Sequence, residues 1–236
     1  MNKKGETITI GVLGGMGTYA TIHLFNQYAK LFMANKEWER PRIIIDNRCT
    51  MPSRVKAYLE GDDKDKLINE MSESIDNLIR SGCNRIILDC NTAHLFIPDI
   101  YSKVPKAEGL LVNIIDTLVD ELCTDRISRI NLLASEGTID SKIYQKACEN
   151  KGIICNAPCK EEYILIRKCI EAVKRDEYSN EIQDAFLELI HRDTSCILGC
   201  TELPILYDRY KSMCDDVRIY DPIYLTLKKI RHEFRE

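Results

Sequence analysis

The sequence predicts an α/β fold: two pseudo-symmetric parallel-sheet α/β domains with the active site in the cleft between them. Two observations lead there. Short apolar runs alternate with helix-length amphipathic segments, the order expected of a parallel sheet covered by helices on both faces. The two halves also repeat each other. Ile10 to Thr18 reads IGVLGGMGT and Ile130 to Thr138 reads INLLASEGT, an offset of 120 residues. Ile87-Leu88-Asp89-Cys90-Asn91-Thr92 is echoed by Ile197-Leu198-Gly199-Cys200-Thr201-Glu202, an offset of 110. Two echoes in the same order indicate a duplicated unit.

The apolar runs place strands at 8–13, 42–46, 85–89, 110–112, 130–134, 153–155, 196–199 and 217–220. Helical periodicity covers 18–33, 65–81, 116–122, 142–150, 161–174 and 181–191. In the fifth of these, Tyr163, Ile166, Ile170 and Val173 form one stripe, with Glu162, Lys168 and Glu171 off it. The strand at 217–220 precedes Asp221-Pro222 and an amphipathic tail, with Pro222 suited to a helix start. That tail reads as a return into the first half. The expected domains are therefore 1–113 plus 216–236, and 114–215.

Composition bounds the function. There are 33 Lys and Arg against 37 Asp and Glu in 236 residues, a net charge of −4, which argues against a nucleic-acid partner, since phosphate neutralisation needs a basic face and none stands out. No apolar run approaches the roughly 20 residues of a membrane span. Met1 to Glu6 is polar, and glycines interrupt the apolar run that follows, unlike a secretion signal. The eleven cysteines are odd in number and irregular in spacing, which fits reduced thiols in a cytoplasm.

Most of those thiols read as small buried hydrophobes, and Cys123 and Cys148 are expected to tolerate serine with loss only of stability. Cys90 and Cys200 differ, because each ends a strand in the repeated motif, and ligands of open parallel sheets bind beyond strand carboxyl ends. If the halves face each other, the two thiols meet. Asn91 and Thr92 offer hydrogen-bond donors beside Cys90, and the alternative is that they cap the next helix. His94 reads as a packing or capping residue rather than a base. Glu202 stands two residues past Cys200, with Pro204 near a helix start. Zinc competes for the cysteines, since Cys155/Cys159 and Cys196/Cys200 are each four apart. Cys196 lies inside a strand, however, which argues against a structural zinc site, and no metal is expected.

The glycine turn at 14–17 supports three readings. Gly15-x-Gly17-x-x-Ala20 matches a dinucleotide fingerprint, but Asp46, the acidic residue ending the second strand, lies 26 residues past Ala20 rather than about 20. A purely structural tight turn is the second reading. The favoured one is a backbone turn that binds the anion of a small acid, with Met16 at its tip. Arg48 and Arg54 follow the second strand, where a guanidinium can clamp a carboxylate or simply face solvent. Lys174 closes a helix, as a substrate contact or as a solvated charge favouring the helix C-terminus.

GGMG at 14–17, CNTAH at 90–94 and GCTELP at 199–204 together resemble the aspartate/glutamate racemase family, in its aspartate racemase branch. Pro52-Ser-Arg54 is similar to the family's Pro-x-Arg element, and 134–144 to its Gly-Thr midpoint motif. The resemblance implies a cofactor-independent, PLP-independent racemase of acidic amino acids, working by two-base proton transfer at the α-carbon and assembled as a homodimer. Cys90 and Cys200 would be the paired acid and base. Asn91, Thr92 and Thr201 would hold the α-carboxylate, Arg54 and Lys174 would recognise carboxylate, Met16 would line the substrate site, and His94 and Glu202 would give support. The glutamate branch usually has His where this chain has Glu202, a departure that favours the aspartate-like branch and leaves the side chain of the substrate open between aspartate and glutamate.

The chemistry points the same way. Inverting an α-carbon without a cofactor needs a base on one face and a proton donor on the other, and two thiols at equivalent strand ends supply both. Rival readings are a related isomerase, decarboxylase or hydantoin racemase, a non-catalytic binder of small acids, and a nicotinamide-dependent oxidoreductase. A decarboxylase would need only one thiol. The oxidoreductase would show cofactor absorbance.

Overall fold

The computed structural model describes residues 7–235, so the polar start at 1–6 lies outside the described residues. The chain runs β1 (Thr9–Gly14), α1 (Thr18–Leu31), β2 (Arg42–Asn47), α2 (Arg54–Leu59), α3 (Lys64–Arg80), β3 (Arg85–Leu88), α4 (Ile97–Lys103) and α5 (Ile114–Thr124). The second half repeats the alternation with β4 (Arg129–Ala134), α6 (Glu136–Asp140), α7 (Ile143–Glu149), β5 (Ile154–Asn156), α8 (Lys160–Lys174), α9 (Asn180–Ile190), β6 (Ser195–Gly199), α10 (Leu203–Tyr210), β7 (Arg218–Tyr220) and α11 (Pro222–Arg235). One sheet has the order β2-β1-β3, the other β5-β4-β6-β7, and the pairings are parallel.

The duplication is visible in the register. Val12 pairs with Ile87 and Leu13 with Leu88 in the first sheet; Leu132 pairs with Ile197 and Leu133 with Leu198 in the second. Both sequence offsets are preserved in the pairing, so Cys90 and Cys200 each stand two residues past equivalent positions. Alternation of side chains across each strand has the same consequence in both halves. Val12 and Leu132 face a central cluster, whereas Leu13 packs with Met71 and Ile75 of α3, and Leu133 with Ile166 and Ile170 of α8.

The central cluster joins the halves. Ile10 of β1 and Ile130 of β4 pack there with Leu24 of α1, Ile114 and Leu118 of α5, and Leu227 and Ile230 of α11. Each fully buried Leu or Ile contributes about 1.5–3 kcal/mol. A core shared on this scale keeps the halves together, and the space between them lies at the strand carboxyl ends.

Two expectations about connections change. The run at 110–112 forms only an isolated parallel bridge, Leu111 to Ile86, because the left-handed turn at Gly109 precedes it and Asn113 starts a helix directly after. The segment 216–236 divides between the halves. β7 pairs with β6 in the second sheet, where that strand edge offers free backbone groups, while α11 packs on α1 of the first half and on α5. The two helices have matching starts. Asn113 accepts from the Ile115 and Asp116 amides, and Asp221 accepts from those of Ile223 and Tyr224. Pro222 opens α11, as its sequence position predicts.

Candidate active site

Residues from both halves enclose a cavity of about 100 Å³. Cys90 follows β3 and Cys200 follows β6, and both line it. So do Met16, Arg54, Asn91, Thr92, Lys174, Thr201 and Glu202, each of which the sequence singled out. His94 is the exception. It is buried beneath the Cys90 loop, with Nδ1 3.0 Å from the Cys90 carbonyl and Nε2 accepting the Ile114 amide at 3.4 Å. Burial pulls its pKa down to about 4, so the ring is neutral and ties the loop to the start of α5.

The sequence assigned no role to three further lining residues. Ser53 is the cap of α2, and Val55 follows Arg54 in that helix. Ile170 belongs to the apolar stripe of α8 and is legible only as core. Ser135, which also lines the cavity, belongs to the repeated motif and sits at the start of α6. With Thr92 and Thr138 it forms a hydroxyl cluster across the halves, at 3.2 Å (Thr92–Ser135), 3.0 Å (Thr92–Thr138) and 3.3 Å (Ser135–Thr138). A larger cleft of about 530 Å³ between α1, α10, β7 and α11 contains neither thiol.

The glycine turn has a different occupant from the one expected. Gly15 adopts φ +77°, and a Cβ there would stand 2.5 Å from the Arg48 backbone, so the position requires glycine. A Cβ on Gly17 would lie 2.5 Å from Glu202 Oε1. The carboxylate against the start of α1 is therefore the protein's own, and it disfavours a second anion there. Arg48 also turns away from the cavity, bonding Glu70, Glu73 and Ser74 of α3.

Arg54 donates from Nη1 to the Pro52 carbonyl at 3.1 Å and from Nη2 to the Met16 carbonyl at 2.9 Å, while its buried Nε has no hydrogen-bond partner. Asn91 Nδ2 is likewise buried and unpartnered. Lys174 reaches Glu171 at 3.1 Å; burial lowers its pKa, but Glu202 and Glu171 outweigh that and hold it above the ordinary lysine value. Two lining residues, Arg54 and Asn91, thus hold a cationic and an amide donor without a protein partner, chemistry suited to carboxylate.

The thiols differ in setting. Cys200 Sγ donates to Glu202 Oε2 at 2.9 Å. Burial raises the Cys200 pKa well above the usual thiol value, the Glu202 carboxylate raises it further, and Cys90 adds to the effect. Both thiols line the same cavity. Among the described residues no group of three or more His, Cys, Asp or Glu side chains could hold a metal ion, and no helix is long and apolar enough to cross a membrane.

The family model described as Asp/Glu/Hydantoin racemase matches residues 13–230. The chain belongs to that family. It is a racemase of the PLP-independent kind, as the motifs at 14–17, 90–94 and 199–204 imply. The racemase is 24% identical over 215 residues to the broad specificity amino-acid racemase RacX of Bacillus subtilis, covering 86% of this chain and 89% of that one. It is 25% identical over 160 residues to the glutamate racemase of Aquifex pyrophilus, covering 67% and 61%. Among solved structures, the Picrophilus torridus aspartate racemase superposes with a TM-score of 0.79 at 22% identity, covering 97% of this racemase and 98% of that chain. An aspartate racemase homologue from Pyrococcus horikoshii gives 0.75 at 23% identity, covering 97% and 99%. At such identities the structural likeness establishes the fold.

Proposed function

We propose that the racemase interconverts the L and D forms of aspartate, using Cys90 and Cys200 as the two bases. The observation that carries this reading is the convergence of the two thiols, from register-equivalent strand ends, on one small cavity with unused carboxylate-binding donors. A space of about 100 Å³ suits a compact substrate, whereas drug-sized ligands occupy roughly 300–1,000 Å³. Asn91, Thr92 and Thr201 take the α-carboxylate; Arg54 Nε and Lys174 take the side-chain carboxylate; Glu202 offers its unpaired Oε1 to the ammonium.

Cys200, held protonated beside Glu202, serves as the acid in one direction of the reaction, with Cys90 as the base. The Cys90 thiolate removes the proton from Cα, leaving its electron pair on carbon beside the bound carboxylate. Cys200 then protonates the opposite face. The cycle ends with Cys90 as thiol and Cys200 as thiolate, ready for the other enantiomer. Donors preorganised at the carboxylate stabilise the charge that develops there.

Chiral chromatography of L- and D-aspartate incubated with the purified protein and no added cofactor tests the reading. Both samples are expected to converge on the same equal mixture. Turnover confined to glutamate or to neutral amino acids would replace the substrate; no turnover of any amino acid, or turnover only with pyridoxal phosphate, would overturn the function. All eleven cysteines are free, and a reducing cytoplasm is the compartment proposed. A homodimer is proposed on the prevalence of twofold assemblies. Light scattering at micromolar concentration is expected to give twice the mass of one chain, and a monomer would refute it.

A further inference from the structure

We infer that Tyr144 is a positioning residue that fixes the polarity of the substrate site by locking the amide of Asn91. Tyr144 lies on α7 in the second half and is fully buried. Its hydroxyl crosses to the first half and donates to Asn91 Oδ1 at 2.5 Å. Asn91 is itself 3% exposed and lines the cavity, and its Nδ2 has no partner within the protein. An asparagine amide can rotate by half a turn, exchanging an acceptor for two donors at the same place. Rotated that way, Asn91 would donate to the tyrosine oxygen and present its carbonyl to the substrate.

Only one of the two orientations gives the phenol a use for its proton. Burial holds the Tyr144 hydroxyl protonated, with its pKa well above the usual tyrosine value, so it must donate to an acceptor. Asn91 Oδ1 is that acceptor. The amide nitrogen therefore remains for the cavity, where it can bind a carboxylate and not an ammonium. Glu202 Oε1, an unpaired acceptor on another lining residue, is left for the ammonium. Tyr144 thus acts on binding through Asn91, without reaching the reacting atoms.

This inference rests on the aspartate reading above for its kinetic consequence, but the lock itself can be read without substrate. Wild type, Tyr144→Phe, Asn91→Ala and the double variant are compared in two measurements. In nitrogen-resolved NMR the Asn91 side-chain amide pair is assigned by its loss in Asn91→Ala. It is expected to shift and broaden in Tyr144→Phe, and an unmoved pair would overturn the lock. In aspartate kinetics Tyr144→Phe is expected to raise KM about tenfold with kcat changed less than about threefold, the scale of one hydrogen bond to a charged group. On the Asn91→Ala background it is expected to add no further KM increase. An equal KM increase on both backgrounds, or a fall in kcat at unchanged KM, would overturn the positioning role. A moved amide pair in a protein whose wild type leaves aspartate unchanged would refute the substrate reading and uphold the lock.

Discussion

Replacing Cys90 or Cys200 by alanine is expected to abolish racemisation in both directions. The reaction needs a base on one face of Cα and an acid on the other, and each variant lacks one of them. General acid–base groups contribute about 10²–10⁴-fold, so a variant retaining wild-type turnover could not have lost an essential one. Thermodynamics sharpens the test. The enantiomers have equal free energy in water, so kcat/KM must fall equally for L and D substrate whichever thiol is removed. Asymmetry survives only in half-reactions. Each single variant keeps one base and can exchange the α-hydrogen of one enantiomer with solvent deuterium, and the two variants should have opposite preferences. Chiral chromatography reads the first outcome and proton NMR in deuterated buffer the second. Full racemase activity in either variant would end the two-thiol mechanism. Cys148→Ser serves as a control: Cys148 is fully buried in the central cluster, and its loss should cost stability while the chemistry persists.

The sequence made the framework legible because duplication leaves a trace in one dimension. The offsets of 120 and 110 residues return as identical registers in the two sheets, and they are what separates Cys90 and Cys200 from the other nine thiols. Pattern was also enough for the long helices, since α3 and α8 bury stripes at helical spacing. Short-range pattern did not reveal partners. Ile170 has the same periodicity as any core residue, and nothing in its neighbours says that it touches the cavity. The Tyr144 hydroxyl and the Asn91 amide are 53 residues apart, and only the folded arrangement makes them a pair. The glycine turn misled for a physical reason. Its conformation suits an approaching anion, but a sequence cannot show that Glu202, remote in the chain, already fills the space. The tail was similarly ambiguous, because β7 obeys the nearest free strand edge and α11 obeys the central core.

Glu202→Gln is expected to separate the two duties of this side chain while preserving its shape. Glu202 is 3% exposed, with Oε2 accepting the Cys200 thiol proton and Oε1 without a partner beside Gly17. The carboxylate disfavours a neighbouring thiolate, so its removal should lower the Cys200 pKa. Alkylation of Cys200 by iodoacetamide, followed by peptide mass spectrometry, should therefore begin at lower pH than in wild type. A less basic thiolate is a weaker acceptor for a carbon-bound proton, and turnover should fall about tenfold to a hundredfold. Loss of the proposed ammonium contact should raise KM as well. Stability should respond in the opposite sense. Burial, with Glu202 and Asp221 adding, pushes the Asp89 carboxyl up to about 7 from an ordinary 3.8. A carboxyl whose folded pKa is raised favours folding fully only below its unfolded pKa, and that contribution is lost as pH rises through about 7. Without the Glu202 charge the Asp89 carboxyl should titrate lower and the loss should shrink. Melting curves between pH 5 and 8 should then show a smaller decline in Glu202→Gln than in wild type. Unchanged Cys200 alkylation together with unchanged turnover would mean that Glu202 is only a spacer beside Gly17. A lower alkylation threshold with slower turnover would make it the group that keeps Cys200 strong enough as a base to work on carbon.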